Sequence, residues 1–351
     1  MNTQSFSIAG RAIGAGHPPY VIAEMSGNHN GELQRALALI DAAHATGADA
    51  VKLQTYTADT MTIDCDLPDF VIKGGLWDGY NLYRLYEEAH TPWAWHGALF
   101  ARARELGLHI FSTPFDHSSV DFLETLDVPA YKIASFELTD LALIRRVAAT
   151  NKPLIMSTGM ASLEEIEEAV FTARASGSGE LCLLYCVSGY PTPVADANVL
   201  SLRDLANRFG AVTGFSDHTP GTAVSVAAVA LGAAVVEKHF TLRRSDGGPD
   251  AAFSLEPEEF TTLVQDCRTA WESLGSSGFR RKPSEVANVI FRRSLYAVKD
   301  IDAGEAFTNE NVRVIRPGYG LPPKVLPLVL GRTAAHWIER GTPLSWSCLQ
   351  A

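Results

Sequence analysis

Between Ala211 and Thr241 two apolar runs turn polar only at their last residues. The first leads into Phe215-Ser216-Asp217-His218, and an Ala/Val-rich helical stretch follows it. The second, Ala233 to Val236, stops at Glu237-Lys238-His239. Apolar strands separated by a helix-length segment belong to parallel sheets covered on both faces. Polar residues confined to the carboxyl tips are what a (β/α)8 barrel requires, because its interior is packed shut and its chemistry sits on the C-terminal face. Two imidazoles on neighbouring strand tips can hold one divalent cation between them.

The same unit recurs upstream. Tyr20 to Glu24 reads as a strand, and Leu33 to Ala45 as a helix with Leu33, Leu37, Ile40 and Ala43 on one face and Gly47 as its stop. Further strands are expected at Ala50 to Gln54, His109 to Thr113, Ala130 to Ser135, Pro153 to Ser157 and Leu181 to Val187. Thr91-Pro92 offers an N-cap and first helical position for a helix ending at Gly107, and Ser162 with Glu165 forms a capping box after the fifth strand. Eight strands alternate with eight helix-compatible segments, the count of a closed TIM barrel. A doubly wound open sheet also alternates, but no Gly-x-Gly-x-x-Gly follows the first strand, which ranks that fold second. Thr57 to His90 is too long for an ordinary connection and suggests a lid or substrate loop.

The periodicity changes after about Gly275. We expect a barrel over residues 1–278, a linker over 279–292 that carries Arg280-Arg281-Lys282-Pro283, and a small β-rich domain over 293–351 with strands near Ser294 to Val298 and Val312 to Ile315. A formal net charge of -11 leaves no basic stripe for nucleic acid, so an anionic ligand needs a local cluster of cations and amides. The five cysteines are odd in number and spread apart, and Cys182 and Cys186 within one strand read as small core residues. No basic start followed by an apolar run, and no stretch of ~18 apolar residues, is found, so a cytoplasmic chain without a membrane span is expected.

Collected from all strands, the tips present Glu24, Lys52, Gln54, Thr113, Lys132, Ser135, Glu137, Ser157, Ser188, Tyr190, Ser216, His218, Glu237, Lys238 and His239. A lone histidine here is more often a hydrogen-bonded core residue than a ligand, and a lone lysine is more often solvated. The set shifts that balance, since burying Lys52 and Lys132 without anionic partners would cost several kcal/mol. A cradle for a phosphate and a carboxylate follows. His29, in Gly27-Asn28-His29-Asn30-Gly31, is either a third ligand or an organiser of its loop. Asp250, after Gly247-Gly248-Pro249, either reaches over the barrel mouth or caps its own turn.

These residues resemble the sialic acid synthase family of phosphoenolpyruvate-condensing enzymes. The motifs IAEMSGNHNG, AVKLQTY, IFSTPFD, YKIASFE, MSTGM, YPTP, FSDHTPG, VEKHFTL and GPDAAFSLEP carry the likeness in order across residues 20 to 257. RRSLYAVKDIDAGEAFTNENV resembles the SAF, or antifreeze-like, domain that follows the barrel in that family. LYRLYEEAHTPWAWH, and GGPDAAFSLEP with Ala251 where other branches usually have His, come nearest the pseudaminate-forming branch.

The resemblance implies condensation of phosphoenolpyruvate with the aldehyde of a 2,4-diacetamido-2,4,6-trideoxy-altrose. It puts a divalent cation such as Mn2+, Mg2+ or Co2+ on His218 and His239. Lys52, Lys132, Ser135, Ser157, Ser188 and Ser216 are implied to hold phosphoenolpyruvate, with Ser188 standing where the neuraminate branch often has Asn. Glu24, Gln54, Glu137, Tyr190 and Asp250 are implied to position the sugar and water or to move protons, and Glu137 is the preferred general acid/base. Arg293, with Arg292 as its fallback, is implied to reach the sugar from the SAF domain of the other subunit, so that a homodimer with exchanged SAF domains is the active form. Neuraminate or legionaminate synthesis is the neighbouring alternative, with the Thr57 to His90 loop as the discriminating segment. A sugar-binding protein without catalysis, or an SAF domain serving only as a dimer clamp, are the readings of other kinds.

Overall fold

The computed structural model describes residues 4–350, and its contacts divide it after Gly275 into two compact units. An antiparallel hairpin opens the first unit, β1 (Ser5–Ile8) and β2 (Arg11–Gly14). Eight parallel strands then close on themselves: β3 (Tyr20–Glu24), β4 (Ala50–Thr55), β5 (His109–Pro114), β6 (Tyr131–Ile133), β7 (Leu154–Ser157), β8 (Leu181–Cys186), β9 (Val212–Asp217) and β10 (Val235–His239). β10 pairs with both β9 and β3, which completes the barrel in sequence order. The expected (β/α)8 architecture is therefore the one observed.

Strand alternation divides the apolar residues into two cores. Val21, Ala23, Val51, Leu53, Ile133, Met156, Leu183 and Val236 point outward and pack under the helices. Ile22, Ala50, Phe111, Ile155, Cys182, Leu184, Val212 and Val235 point inward, where the hairpin adds Phe6, Ile8 and Ile13 at the strands' amino ends. The hairpin thus plugs the bottom of the barrel, a role its short alternating sequence does not announce. Gly214 makes the interior packing possible. A Cβ there would lie 2.6 Å from the Leu184 side chain and 2.5 Å from the Val235 carbonyl, so any larger residue would force the wall apart.

Local signals set the surrounding helices. The helix Leu33–Ala45 has the expected bounds, and Ser162 and Glu165 exchange the expected cap bonds at the start of Leu163–Ala175. Asp116 exchanges such bonds with Ser119 at the start of His117–Glu124, and Asp140 caps Leu141–Ala148 by accepting from the Ala142 and Leu143 amides. The helix expected from Pro92 instead spans Trp93–Glu105, because Pro92 keeps an extended ψ of 131° and acts as the cap. The long insertion is structured, with helical turns at Ala58–Met61 and Pro68–Phe70 and a helix Leu82–Ala89 capped by Asn81. Among the described residues no helix is long and apolar enough to cross a membrane.

In the second unit, helical turns at Pro283–Val286 and Ala287–Phe291 precede an antiparallel pair, β11 (Ser294–Ala297) and β12 (Val312–Ile315). Its own small core gathers Leu295, Ile301, Phe307, Val312, Val329, Ile338 and Leu344.

The interior core makes a direct test of the barrel. Phe111 is fully buried among inward-facing residues of other strands. Phe111→Ala should lower unfolding free energy by ~3–5 kcal/mol. In urea denaturation the midpoint should fall with the slope unchanged.

Candidate active site

The inward-facing residues change character one layer above the apolar interior. Glu24 is the register partner of Lys52, and Glu237 that of Ser216, so these side chains enter the barrel at one height. Lys52 Nζ lies 2.8 Å from Glu24 Oε2 and 3.8 Å from Glu237 Oε2, and donates to Thr113 Oγ1 at 3.1 Å. Lys132 Nζ donates to Glu237 Oε1 at 3.3 Å, and Ser216 Oγ donates to the same oxygen at 3.1 Å. Glu24, Lys52, Lys132 and Glu237 are each no more than 5% exposed.

This arrangement corrects one expectation. The two lysines are not left without anionic partners; two glutamates neutralise them inside the protein. Burial alone would lower Lys52, but Glu237 and Glu24 more than reverse it, and its affinity for a proton is raised. Lys132 is lowered, since burial and the neighbouring Lys52 outweigh the pull of Glu237. Glu237 is held low by Lys132 and Lys52 in spite of burial, whereas burial pushes Glu24 up. Lys132 therefore retains donor capacity for a ligand, while Lys52 already meets Glu24 and Thr113.

Beside Lys132 the strand ends supply hydroxyls. Ser157 Oγ, at the tip of β7, is buried without a protein partner. Ser135 Oγ accepts a bond from the Gly159 amide at 3.1 Å. A Cβ on Gly159 would come within 2.3 Å of Ser188 Oγ and 2.8 Å of Ser135 Oγ, so only glycine lets the backbone pass this close to the two hydroxyls. Glu137 ends the helical turn Ser135–Glu137, its Oε2 buried without a partner. Burial raises its pKa to about 7, against a weaker opposing pull from its own backbone amide and Lys132.

Above this layer the side chains are aromatic. The His218 and His239 rings lie 5.4 Å apart. Tyr190 packs on His218 at 4.4 Å and Phe253 on His239 at 4.8 Å. His218 Nδ1 lies 3.0 Å from the Val187 carbonyl, so Nδ1 carries a proton, and against burial the Cys186 sulfur and this carbonyl raise the ring's affinity for protons. His239 Nδ1 is buried without a protein partner, and burial with the charges around it keeps that imidazole neutral. Among the described residues no set of three His, Cys, Asp or Glu forms a metal-binding cluster. Cys182 is interior as expected, but Cys186 lies 3.8 Å from His218 Nδ1, at the site and not merely in the core.

The loops tie to this centre by hydrogen bonds. Gln54 Nε2 donates to Glu24 Oε1 at 2.9 Å and to Ser26 Oγ at 3.0 Å, and Ser26 Oγ bonds to Asp250. Asp250 therefore sits over the mouth and also fixes the loop after β3. His29 does not enter the site: Nδ1 accepts from the Gly31 amide at 3.1 Å, its ring meets Trp95 edge-on, and burial lowers its pKa to about 4. It organises its loop. Lys238 likewise faces outward and pairs with Asp217 at 2.8 Å. Arg293 belongs to the second unit, exposed immediately before β11, and Arg292 is exposed beside it. Sequence reasoning counted Glu237 among the tips without giving it a role, and it missed Phe253 and Trp77. A single aromatic in a long insertion carries no local signal of where it lands.

A closed parallel barrel with one polar layer, placed where its strands end, is the scaffold of a (β/α)8 enzyme acting on small polar molecules. Residues 39–278 match the NeuB family, and residues 292–350 match the SAF domain. The chain is 44% identical to the pseudaminic acid synthase of Helicobacter pylori over 93% of its length and 97% of that protein. It is 37% identical to the N,N'-diacetyllegionaminic acid synthase of Legionella pneumophila, over 95% of each. The crystal structure of N-acetylneuraminic acid synthetase from Leptospira borgpetersenii, in complex with citrate, superposes with a TM-score of 0.73 at 30% identity, covering 82% of this chain and 95% of that one. This protein belongs to the NeuB family, and the kinship expected from its motifs holds.

Gly159→Ala would drive a methyl group between the Ser135 and Ser188 hydroxyls. Calorimetric titration should show phosphoenolpyruvate affinity falling by roughly tenfold or more, the loss of about one charge-assisted hydrogen bond.

Proposed function

We propose that this chain condenses phosphoenolpyruvate with the open-chain aldehyde of 2,4-diacetamido-2,4,6-trideoxy-altrose and with water, giving pseudaminate and phosphate. The observation that carries the reading is one barrel mouth holding two buried lysines and an unpartnered Ser157 hydroxyl together with two imidazoles 5.4 Å apart, in a chain with 44% identity to pseudaminic acid synthases over 93% of its length.

Lys132, Ser135, Ser157, Ser188 and Ser216, with Lys52 behind them, hold the phosphate and carboxylate. His218 Nε2 and the unpartnered His239 Nδ1 fit a divalent cation, with water or ligand oxygens completing its sphere. Such an ion supplies Lewis acidity at the aldehyde oxygen. Gln54, Asp250, Tyr190 and Glu24 orient the sugar and the attacking water. C3 of phosphoenolpyruvate forms the new bond to the aldehyde carbon, and water adds at C2. The tetrahedral C2 then loses phosphate by C–O cleavage and becomes the ketone.

Glu137 is the proton carrier at the phosphate side, because Lys132 and Lys52 are the cations that act on it. It gives its proton to the departing phosphate oxygen and regains one as the C2 hydroxyl becomes the carbonyl. Arg293 reaches the sugar from a second subunit's small domain, in a cytoplasmic homodimer.

Phosphate release should be measured with the altrose derivative and with N-acetylmannosamine, with added Mn2+ or Mg2+ and with a chelator. Release should require metal and favour the altrose sugar. Preference for N-acetylmannosamine would move the chain to the neuraminate branch, and no release with either sugar would refute the synthase reading.

Burial keeps Glu137 protonated up to about pH 7, and bound phosphoenolpyruvate raises it further by its negative charge. As a proton donor it loses its function when ionised, so kcat should fall as pH rises through and above neutrality. Glu137→Gln should lower kcat by about 10²-fold or more and flatten that limb. A limb that persists unchanged in the variant would assign it to another group.

A further inference from the structure

Trp77 is the one residue of the long insertion that joins the aromatic layer above the imidazoles. Its indole Nε1 donates to the Pro249 carbonyl at 2.9 Å, which ties the insertion to the turn that carries Asp250. Its ring lies 5.8 Å from Tyr190 and 6.5 Å from Phe253, and those two rings are 5.3 Å apart. Tyr190 and Phe253 in turn contact His218 and His239. The three rings therefore form a wall running outward from the imidazoles, with Trp77 as its outermost member.

The chemistry of this wall is one-sided. Phe253 has no polar atom, the single donor of Trp77 is already committed to Pro249, and the one hydroxyl of the wall, that of Tyr190, is engaged with Ser188. A sugar hydroxyl laid against the Trp77 and Phe253 faces would give up hydrogen bonds to water and find none in return, whereas a methyl group would only gain by leaving water. An open-chain sugar with its aldehyde at the imidazoles and its chain laid along this wall would set its far carbons against Trp77 and Phe253. We propose that Trp77 is a specificity-determining residue that selects aldehyde sugars whose terminal carbon is a methyl group over those ending in a hydroxymethyl. This deepens the function proposed above and rests on it. It explains how an insertion that contributes nothing to the shared lysines, glutamates and histidines can choose between sugars that undergo the same chemistry.

The test compares kcat/KM for the 2,4-diacetamido-2,4,6-trideoxy sugar and for its counterpart with a hydroxyl at C6, in the wild type, Trp77→Phe and Trp77→Ala. The wild type should prefer the methyl sugar by on the order of 10 to 100-fold, the range one small group yields in an apolar pocket. Trp77→Ala should shrink that preference by roughly tenfold, through loss on the methyl sugar, with the hydroxyl sugar altered less than about twofold. Trp77→Phe, which keeps a ring but not the bond to Pro249, should retain most of the preference. Calorimetric binding of phosphoenolpyruvate serves as the folding control and should be unchanged in both variants.

Equal losses on both sugars would reduce Trp77 to an anchor of the insertion and overturn the proposal, as would an unaltered preference. Failure of the wild type to turn over either sugar would instead strike at the synthase reading itself, and at this inference with it.

Discussion

Two lysines and two glutamates share a water-poor layer at the top of the barrel, and the rest of the site depends on their mutual neutralisation. An isolated ion there would be expelled or would lose its charge, whereas the paired set is tolerated because each charge faces an opposite one at close range. Lys52 sits between Glu24 and Glu237, and Glu237 is shared with Lys132. The shared glutamate leaves Lys132 the less satisfied cation, and the Ser135 and Ser157 hydroxyls stand at the ends of its own and the neighbouring strand. Below this layer the interior is largely apolar, with the Tyr20 hydroxyl paired to His109, and is plugged by the amino-terminal hairpin.

The mouth divides into two chemical zones. One is electrostatic, built from strand tips whose positions the barrel register dictates. The other is aromatic and imidazole-bearing, assembled from the ends of β8, β9 and β10 and from loops far apart in sequence. An anion and an uncharged sugar ask for these two environments side by side, the first for donors in low dielectric and the second for flat faces with a few fixed polar groups. Glu137 is only half-buried at the edge of the electrostatic zone, but its Oε2 is shut off from solvent without a partner, and burial lets the carboxyl group keep its proton near neutrality.

Much of this was legible along the chain because it depends on short-range periodicity. Apolar runs of strand length, helix faces, the Ser162–Glu165 cap and the polar strand tips all arise from residues within a few positions of one another. His29 and Cys186 were not resolved that way. Each lies in a motif-like stretch, yet one ring is consumed by its own loop and the other residue's thiol is turned toward His218. The hairpin at the barrel floor was missed because two four-residue strands give too little periodicity to stand out. The lysines were recognised as buried, but their partners were not, since Lys52 meets Glu24 across 28 residues of sequence and Glu237 across 185.

By itself the sequence determined the class of fold, the set of polar tips, the likeness to one enzyme family and the presence of a long insertion after β4. All of these follow from which residues alternate along each strand and where that alternation turns polar. Only the tertiary structure decided which tips touch. Closing the barrel brings β10 against β3 and so sets Glu237 among Lys52 and Lys132, and it brings Trp77 onto Tyr190 and Phe253. Such contacts come from the closure of a curved sheet over more than a hundred residues, and no local pattern of amino acids encodes them.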